Sequence, residues 1–204
     1  MRSRTRRRRG MKHYTARMHH DLFGRSQSVV HNVFFGLMPD DTTRGRMVEA
    51  VKSLRASHDP QGRWLKPARY HMTLHFLGTF SELPEDRIAA AIRGAEGLRS
   101  PAFDLALDRA GSFSGGIGWL GCARVEPPLQ HLWEELRQAL AREHVATKGH
   151  TQFVPHVTVL RDARKSMPDV AIEPIRWPIR EVMLIDSQLG DRNEYRPLGS
   201  WKLK

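Results

Sequence analysis

Two stretches written in the same pattern constrain this chain more than anything else in it. The first is Tyr70-His71-Met72-Thr73-Leu74-His75-Phe76-Leu77-Gly78, and the second is Phe153-Val154-Pro155-His156-Val157-Thr158-Val159-Leu160-Arg161. In each, polar residues alternate with apolar ones. Side chains on a strand alternate between faces, so His71, Thr73 and His75 are expected on one face, with Met72, Leu74 and Phe76 on the other. His156 and Thr158 are likewise set against Val157 and Val159. One His-x-Thr strand means little, because Thr favours strands anyway. Two copies, 85 positions apart in otherwise unlike surroundings, point to one shared site.

The remaining sequence supplies a core for that site. Val29 to Met38 reads as a strand. Pro39-Asp40-Asp41 then supplies a turn and helix cap, and Met47, Val51 and Leu54 mark one buried face of a helix over about 42–57. A second helix is expected from Ser81 to about Leu98, with Pro84 near its first turn. Strands are expected over Phe103–Leu107 and Ile117–Val125, with a glycine-rich loop over 111–118 between them. A third helix runs from Pro127 to about His144, with Leu129, Leu132, Trp133, Leu136 and Leu140 on one stripe. A charged loop over 161–169 leads to a strand over Arg176–Ile185 and a last one over Tyr195–Leu203. Mixed strands and helices with short connections predict an α+β fold of two similar lobes, each carrying one motif strand, meeting at a cleft.

Composition narrows the function. Residues 1–27 hold nine Arg or Lys and one acid, against 24 basic and 21 acidic residues in the other 177. The net charge of +11 is therefore mostly that of a leader, expected to be disordered, and residues 28–204 form the domain. The leader lacks the apolar segment of a secretion signal. A single cysteine, Cys122, excludes an internal disulfide and a cysteine zinc site, and it reads as a small buried hydrophobe. No apolar run approaches the roughly 20 residues of a membrane span. The expectation is a cytoplasmic protein acting as a monomer.

Two facing histidines suit phosphodiester cleavage in which one takes a proton from water and the other gives one to the leaving oxygen. Imidazole's ordinary pKa of about 6.5 serves both roles and predicts a pH–rate bell near neutrality. A Thr two residues along the same face can donate its hydroxyl to a non-bridging phosphate oxygen. A three-histidine metal site of His71, His75 and His156 is the competing reading. No carboxylate lies in either motif, so no metal and no other cofactor is expected. Trp119 and Phe153 are candidates for base stacking or for core packing.

The paired motifs resemble those of the two-histidine phosphoesterase superfamily, in particular its bacterial RNA 2′,3′-cyclic phosphodiesterases, also called 2′-5′ RNA ligases. Phe34-Phe35-Gly36-Leu37-Met38-Pro39-Asp40, Trp119-Leu120-Gly121 and Tyr195-Arg196-Pro197-Leu198 with Trp201 resemble further pieces of that family. The resemblance covers about residues 29–203. It implies two antiparallel sheets flanking a catalytic cleft, with helices outside. It implies His71 as proton donor to the leaving ribose oxygen and His156 as proton acceptor, with Thr73 and Thr158 holding the phosphate. Arg161 and His75, the latter where many members carry Arg or Lys, are the remaining substrate-binding candidates. The implied substrate is RNA ending in a 2′,3′-cyclic phosphate, opened to a 2′-phosphomonoester, with 2′-5′ ligation as the reverse. Alternatives are hydrolysis of a small cyclic nucleotide and an inactive RNA-binding module.

Overall fold

The computed structural model describes residues 29–148, 152–189 and 194–204. The basic leader lies outside these residues. In chain order the elements are β1 (Val30–Leu37), α1 (Asp41–His58), β2 (Arg63–Trp64), a single 3-10 turn (Pro67–Arg69), β3 (Met72–Phe80), α2 (Glu85–Glu96), β4 (Phe103–Phe113), β5 (Ile117–Gly121), α3 (Pro127–Arg142), β6 (His156–Arg161), β7 (Val170–Ile179), β8 (Glu181–Leu189) and β9 (Tyr195–Lys202).

The first and third helices form where capping and spacing place them, while α2 starts only at Glu85, with Pro84 as its cap. The Asp40 carboxylate accepts from the Thr43 amide at 2.7 Å and starts α1, whose Met47, Val51 and Leu54 are buried. Proline near the first turn starts α3, and Leu129, Leu132, Leu136 and Leu140 bury its apolar stripe. An amphipathic helix packed by one face needs no more than this.

The strands form one antiparallel path, β7-β4-β5-β6-β3-β1-β8-β9, with β2 added to β6. The two expected sheets are its halves. One holds β3, β1, β8 and β9, the other β7, β4, β5 and β6, and they meet through the single pair Met72–Val157. The motif strands therefore lie side by side at the seam. The side chains of Met72 and Val157 are fully buried in the core, while His71, Thr73, His156 and Thr158 are only partly covered on the other face.

The strand expected over Arg176–Ile185 is two strands. β7 pairs with β4 at one end of the path, and β8 pairs with β1 and β9 in the other half. Only Arg180 separates them. Its guanidinium donates to the Phe103 carbonyl at 2.7 Å and to Asp104 at 2.8 Å, and its own carbonyl accepts from the Leu203 amide at 2.9 Å. Strand-like sequence continues through the handover, and only the pairing partners change. Pro174 and Pro178 fit in β7 because an edge strand can spare amide donors.

Candidate active site

The seam juxtaposes the two motifs. From the Met72–Val157 pair, antiparallel register sets His71 opposite Thr158 and Thr73 opposite His156. The histidines are then diagonal neighbours, a relation that separates side-chain origins by roughly 7–8 Å in a regular pair. The same register sets the Thr158 side chain beside His71 and that of Thr73 beside His156. Neither threonine hydroxyl is engaged by another described residue.

Each motif strand carries a β-bulge three residues after its histidine, and the bulges sort the remaining candidates. In β3, Thr73 pairs with Gly36 and His75 with Phe35, leaving Leu74 without a partner. In β6, Thr158 pairs with Trp119 and Leu160 with Gly118, leaving Val159 as the extra residue. A bulge inverts the alternation beyond it. This corrects the position expected for His75. It turns away from His71 and Thr73 and is 5% exposed in the core. There it stacks on Trp133 at 5.1 Å and its Nε2–H donates to the Trp133 carbonyl at 2.9 Å. His75 therefore does not share the face of His71 and Thr73 and cannot join His71 and His156 around a metal. Among the described residues no three His, Cys, Asp or Glu side chains gather to hold one. The same inversion brings Arg161, five positions after His156, onto the histidine face. Its positive charge acts on both His71 and His156.

The two imidazoles are held alike. Nδ1 of His71 lies 2.9 Å from the Arg69 carbonyl, and Nδ1 of His156 lies 2.8 Å from the Val154 carbonyl. A carbonyl only accepts, so each Nδ1 is assigned the proton and each Nε2 is left for chemistry. Each ring also rests on an aromatic neighbour, His71 on Phe34 at 4.6 Å and His156 edge-on to Phe113 at 4.9 Å. His71 has one further contact, because the Tyr195 hydroxyl lies 2.8 Å from its Nδ1 and 3.2 Å from the Arg69 carbonyl. The Tyr195 ring in turn carries the Arg69 guanidinium at 3.8 Å. Tyr195 is 124 residues from His71 in sequence, and nothing in the spacing of the chain pairs them.

Beside His156 opens a hollow of about 250 Å³ lined by Phe113, Trp119, Cys122, Gln152 and Phe153. Trp119 stacks on Phe113 at 5.3 Å, and Phe153 stacks on Trp133 at 5.4 Å. Both rings thus pack against other aromatics and also border the site. Burial pushes the Cys122 thiol up to about 12, which leaves it protonated and a poor nucleophile.

Burial, reinforced by the charges of Arg69, His156 and Arg161, lowers His71 to about 4, against the opposing pull of the Arg69 carbonyl. Burial and Arg161 also lower His156, and burial lowers His75. All three bind a proton more readily in the unfolded chain. Their contribution to stability is complete above the unfolded imidazole value of about 6.5 and is lost as pH falls below it. For His71 the loss continues to about 4 and is at most about 3 kcal/mol. Urea midpoints are therefore expected to fall steadily from pH 7 to pH 4.5, less steeply in His71→Asn. A flat midpoint over that range would contradict the lowered pKa values of these rings.

The fold and seam define a class: an α+β protein whose two half-sheets join through paired His-x-Thr strands, with both imidazole Nε2 atoms unengaged among the described residues. Comparison with known proteins agrees. A sequence model of the 2′-5′ RNA ligase superfamily matches residues 39–191, and the chain belongs to that superfamily. It is 33% identical over 163 residues to the RNA 2′,3′-cyclic phosphodiesterase of Escherichia coli K12, covering 76% of this chain and 89% of that one. A protein of the same name from Aquifex aeolicus is 28% identical over 104 residues, covering 49% of this chain and 55% of its own. Crystal structures of E. coli LigT superpose in the apo form (TM-score 0.68, 29% identity) and in complex with 3′-AMP (TM-score 0.67, 30% identity). Each covers 86% of this chain and 99% of the LigT chain.

Proposed function

We propose that this protein hydrolyses the 2′,3′-cyclic phosphate at the end of an RNA to a 2′-phosphomonoester, with His156 as base and His71 as acid. The observation that carries this reading is the antiparallel pairing of two His-x-Thr strands with both Nε2 atoms left unengaged among the described residues. The superfamily membership and the names of the two relatives support the substrate.

In the reaction, His156 Nε2 takes a proton from water as the water oxygen bonds to phosphorus. The bond from phosphorus to O3′ breaks on the opposite side, and a proton on His71 Nε2 passes to O3′. The products are a 2′-phosphate and a free 3′-hydroxyl, and solvent returns the proton from His156 to His71. Thr73, Thr158 and Arg161 face the non-bridging oxygens, where donors stabilise charge that grows in the transition state. His75 has no part in this step. Ligation follows the same path in the same direction, with a 5′-hydroxyl in place of water: its oxygen bonds to phosphorus as the bond to O3′ breaks, leaving a 2′-5′ diester. The direct test is to supply an oligonucleotide ending in a 2′,3′-cyclic phosphate and identify the product isomer. A 2′-phosphate is expected. Tight binding without turnover would leave an RNA-binding module instead.

The lowered pKa of His71 has a kinetic consequence. In the empty site at pH 7 only on the order of one His71 in a thousand carries the second proton, given a pKa of about 4. A bound cyclic phosphate is an anion within reach of both rings, and its charge raises both pKa values. The bell in kcat/KM, which reports the free enzyme, should therefore lie on the acid side of the neutrality read from sequence. The alkaline limb of kcat, which reports the complex, should lie at higher pH. Coincident alkaline limbs would contradict this account of how His71 is charged.

A further inference from the structure

The 2′,3′-cyclic phosphate is a 3′ end, so any further nucleotides lie on its 5′ side and their phosphates must leave over one mouth of the seam. The two mouths differ. Five residues after His71, beyond its bulge, stands Phe76, bridged to Lys148; five residues after His156, beyond the matching bulge, stands Arg161, with a second arginine across from it. Outward from Arg161 the charge continues. β2 pairs with β6 so that Arg63 is the direct cross-strand partner of Arg161, and cross-strand partners share a face. Two cations placed opposite each other destabilise a sheet unless an anion joins them. Asp162 reaches Arg63 at 3.3 Å, but both side chains are largely exposed, so the pair is weak. Among the described residues Arg161, Arg164 and Lys165 have no carboxylate partner.

This edge is built to hold its cations in place. The Arg164 amide donates to the Pro60 carbonyl at 3.1 Å, the Lys165 amide to the same carbonyl at 3.2 Å, and the Ala163 amide to the Gly116 carbonyl at 3.0 Å. Three loops therefore lock together. Glycine is required at the contacts, since a Cβ on Gly62 would sit 2.7 Å from the Arg161 carbonyl and one on Gly116 2.7 Å from that of Ala163.

We infer that this edge, formed by Arg63, Arg164 and Lys165 beyond Arg161, binds the phosphodiester backbone of the nucleotides 5′ to the cyclic phosphate, and so makes single-stranded RNA a better substrate than a mononucleotide. The inference rests on the proposed cyclic phosphodiesterase reading and adds the path that the rest of the strand takes. It gives the two substrates different salt dependences. Each phosphate held on single-stranded RNA contributes a slope of about −0.7 in log affinity against log salt, and the mononucleotide has no backbone phosphate to place there.

The test compares wild type with the triple variant Arg63→Ala, Arg164→Ala, Lys165→Ala, leaving Arg161 in place. Turnover is measured on a nucleoside 2′,3′-cyclic phosphate and on a hexanucleotide with the same end. Binding of a non-hydrolysable hexanucleotide ending in a 3′-phosphate is followed by fluorescence anisotropy. The variant should lose tenfold or more in kcat/KM on the hexanucleotide, chiefly through KM, and stay within twofold on the mononucleotide. Its salt slope for hexanucleotide binding should be shallower than that of wild type by one to two. Equal loss on both substrates, or loss on neither, would overturn the inference while leaving the hydrolase reading intact. Wild-type binding that needs these three residues, without turnover of either substrate, would support the basic path and sink the hydrolase reading.

Discussion

His71→Ala and His156→Ala are each expected to lower kcat on a 2′,3′-cyclic phosphate by roughly 10²–10⁴-fold, the usual contribution of a positioned acid or base. Both variants should stay folded. The two side chains lie on the open face at the seam, while Met72 and Val157 between them fill the core. Removing His71 also removes a ring whose pKa burial depresses, so that variant should resist acid slightly better than wild type. The double variant should fall well short of the product of the single losses, because the rings move one proton each in a single step. Thr73→Ala and Thr158→Ala should cost less, on the order of 3 kcal/mol or below each, as for a lost oxyanion donor. His75→Ala distinguishes the two faces of β3. It should lower stability through the lost Trp133 contacts and spare KM for the phosphate. A selective rise in KM would return His75 to the binding site.

The second large effect concerns Trp133, which lies away from the chemistry but fixes both motif strands. Its indole Nε1–H donates to the carbonyl of Leu74, the bulged residue of β3, at 3.0 Å. Its own carbonyl accepts from His75, and its ring stacks on His75 and on Phe153 just before β6. Trp133→Ala would leave a cavity and an unsatisfied Leu74 carbonyl. Such losses cost about 3–5 kcal/mol for a buried tryptophan. Trp133→Phe keeps the stacking and loses one hydrogen bond to a buried carbonyl, about 1–3 kcal/mol. If Trp133 holds the bulge that separates the histidine face from the core face, the alanine variant should also lose kcat below its unfolding transition. Full activity in a destabilised but folded Trp133→Ala would show that the bulge holds without it.

The site was legible where alternation is short and regular. His-x-Thr spans three residues, and over that distance parity in a strand is unambiguous, so His71 with Thr73 and His156 with Thr158 lie together as the sequence implies. Parity stops being informative at the first inserted residue. Leu74 and Val159 are ordinary strand residues with nothing in their type to announce a bulge, yet they send His75 inward and Arg161 outward. Phe34, Phe113 and Tyr195 could not be assigned from spacing because they reach the histidines from other strands. Tyr195 had only its likeness to a family ending to recommend it. The handover at Arg180 was hidden for a similar reason: pairing partners change while strand propensity does not. The helices were the easier reading, since a cap and a 3.6-residue apolar stripe are both local.

In the proposed reaction one histidine gives a proton to the leaving oxygen and the other takes one from water. The most direct measurement replaces O3′ of the cyclic phosphate by sulfur and compares turnover of this substrate by wild type, His71→Ala and His156→Ala. A thiolate departs without a proton, so the variant lacking the acid should recover most of its loss and the variant lacking the base should not. Recovery is predicted for His71→Ala alone. Recovery of His156→Ala alone would reverse the two roles. Near-normal turnover of the oxygen substrate by either alanine variant would contradict the two-histidine mechanism.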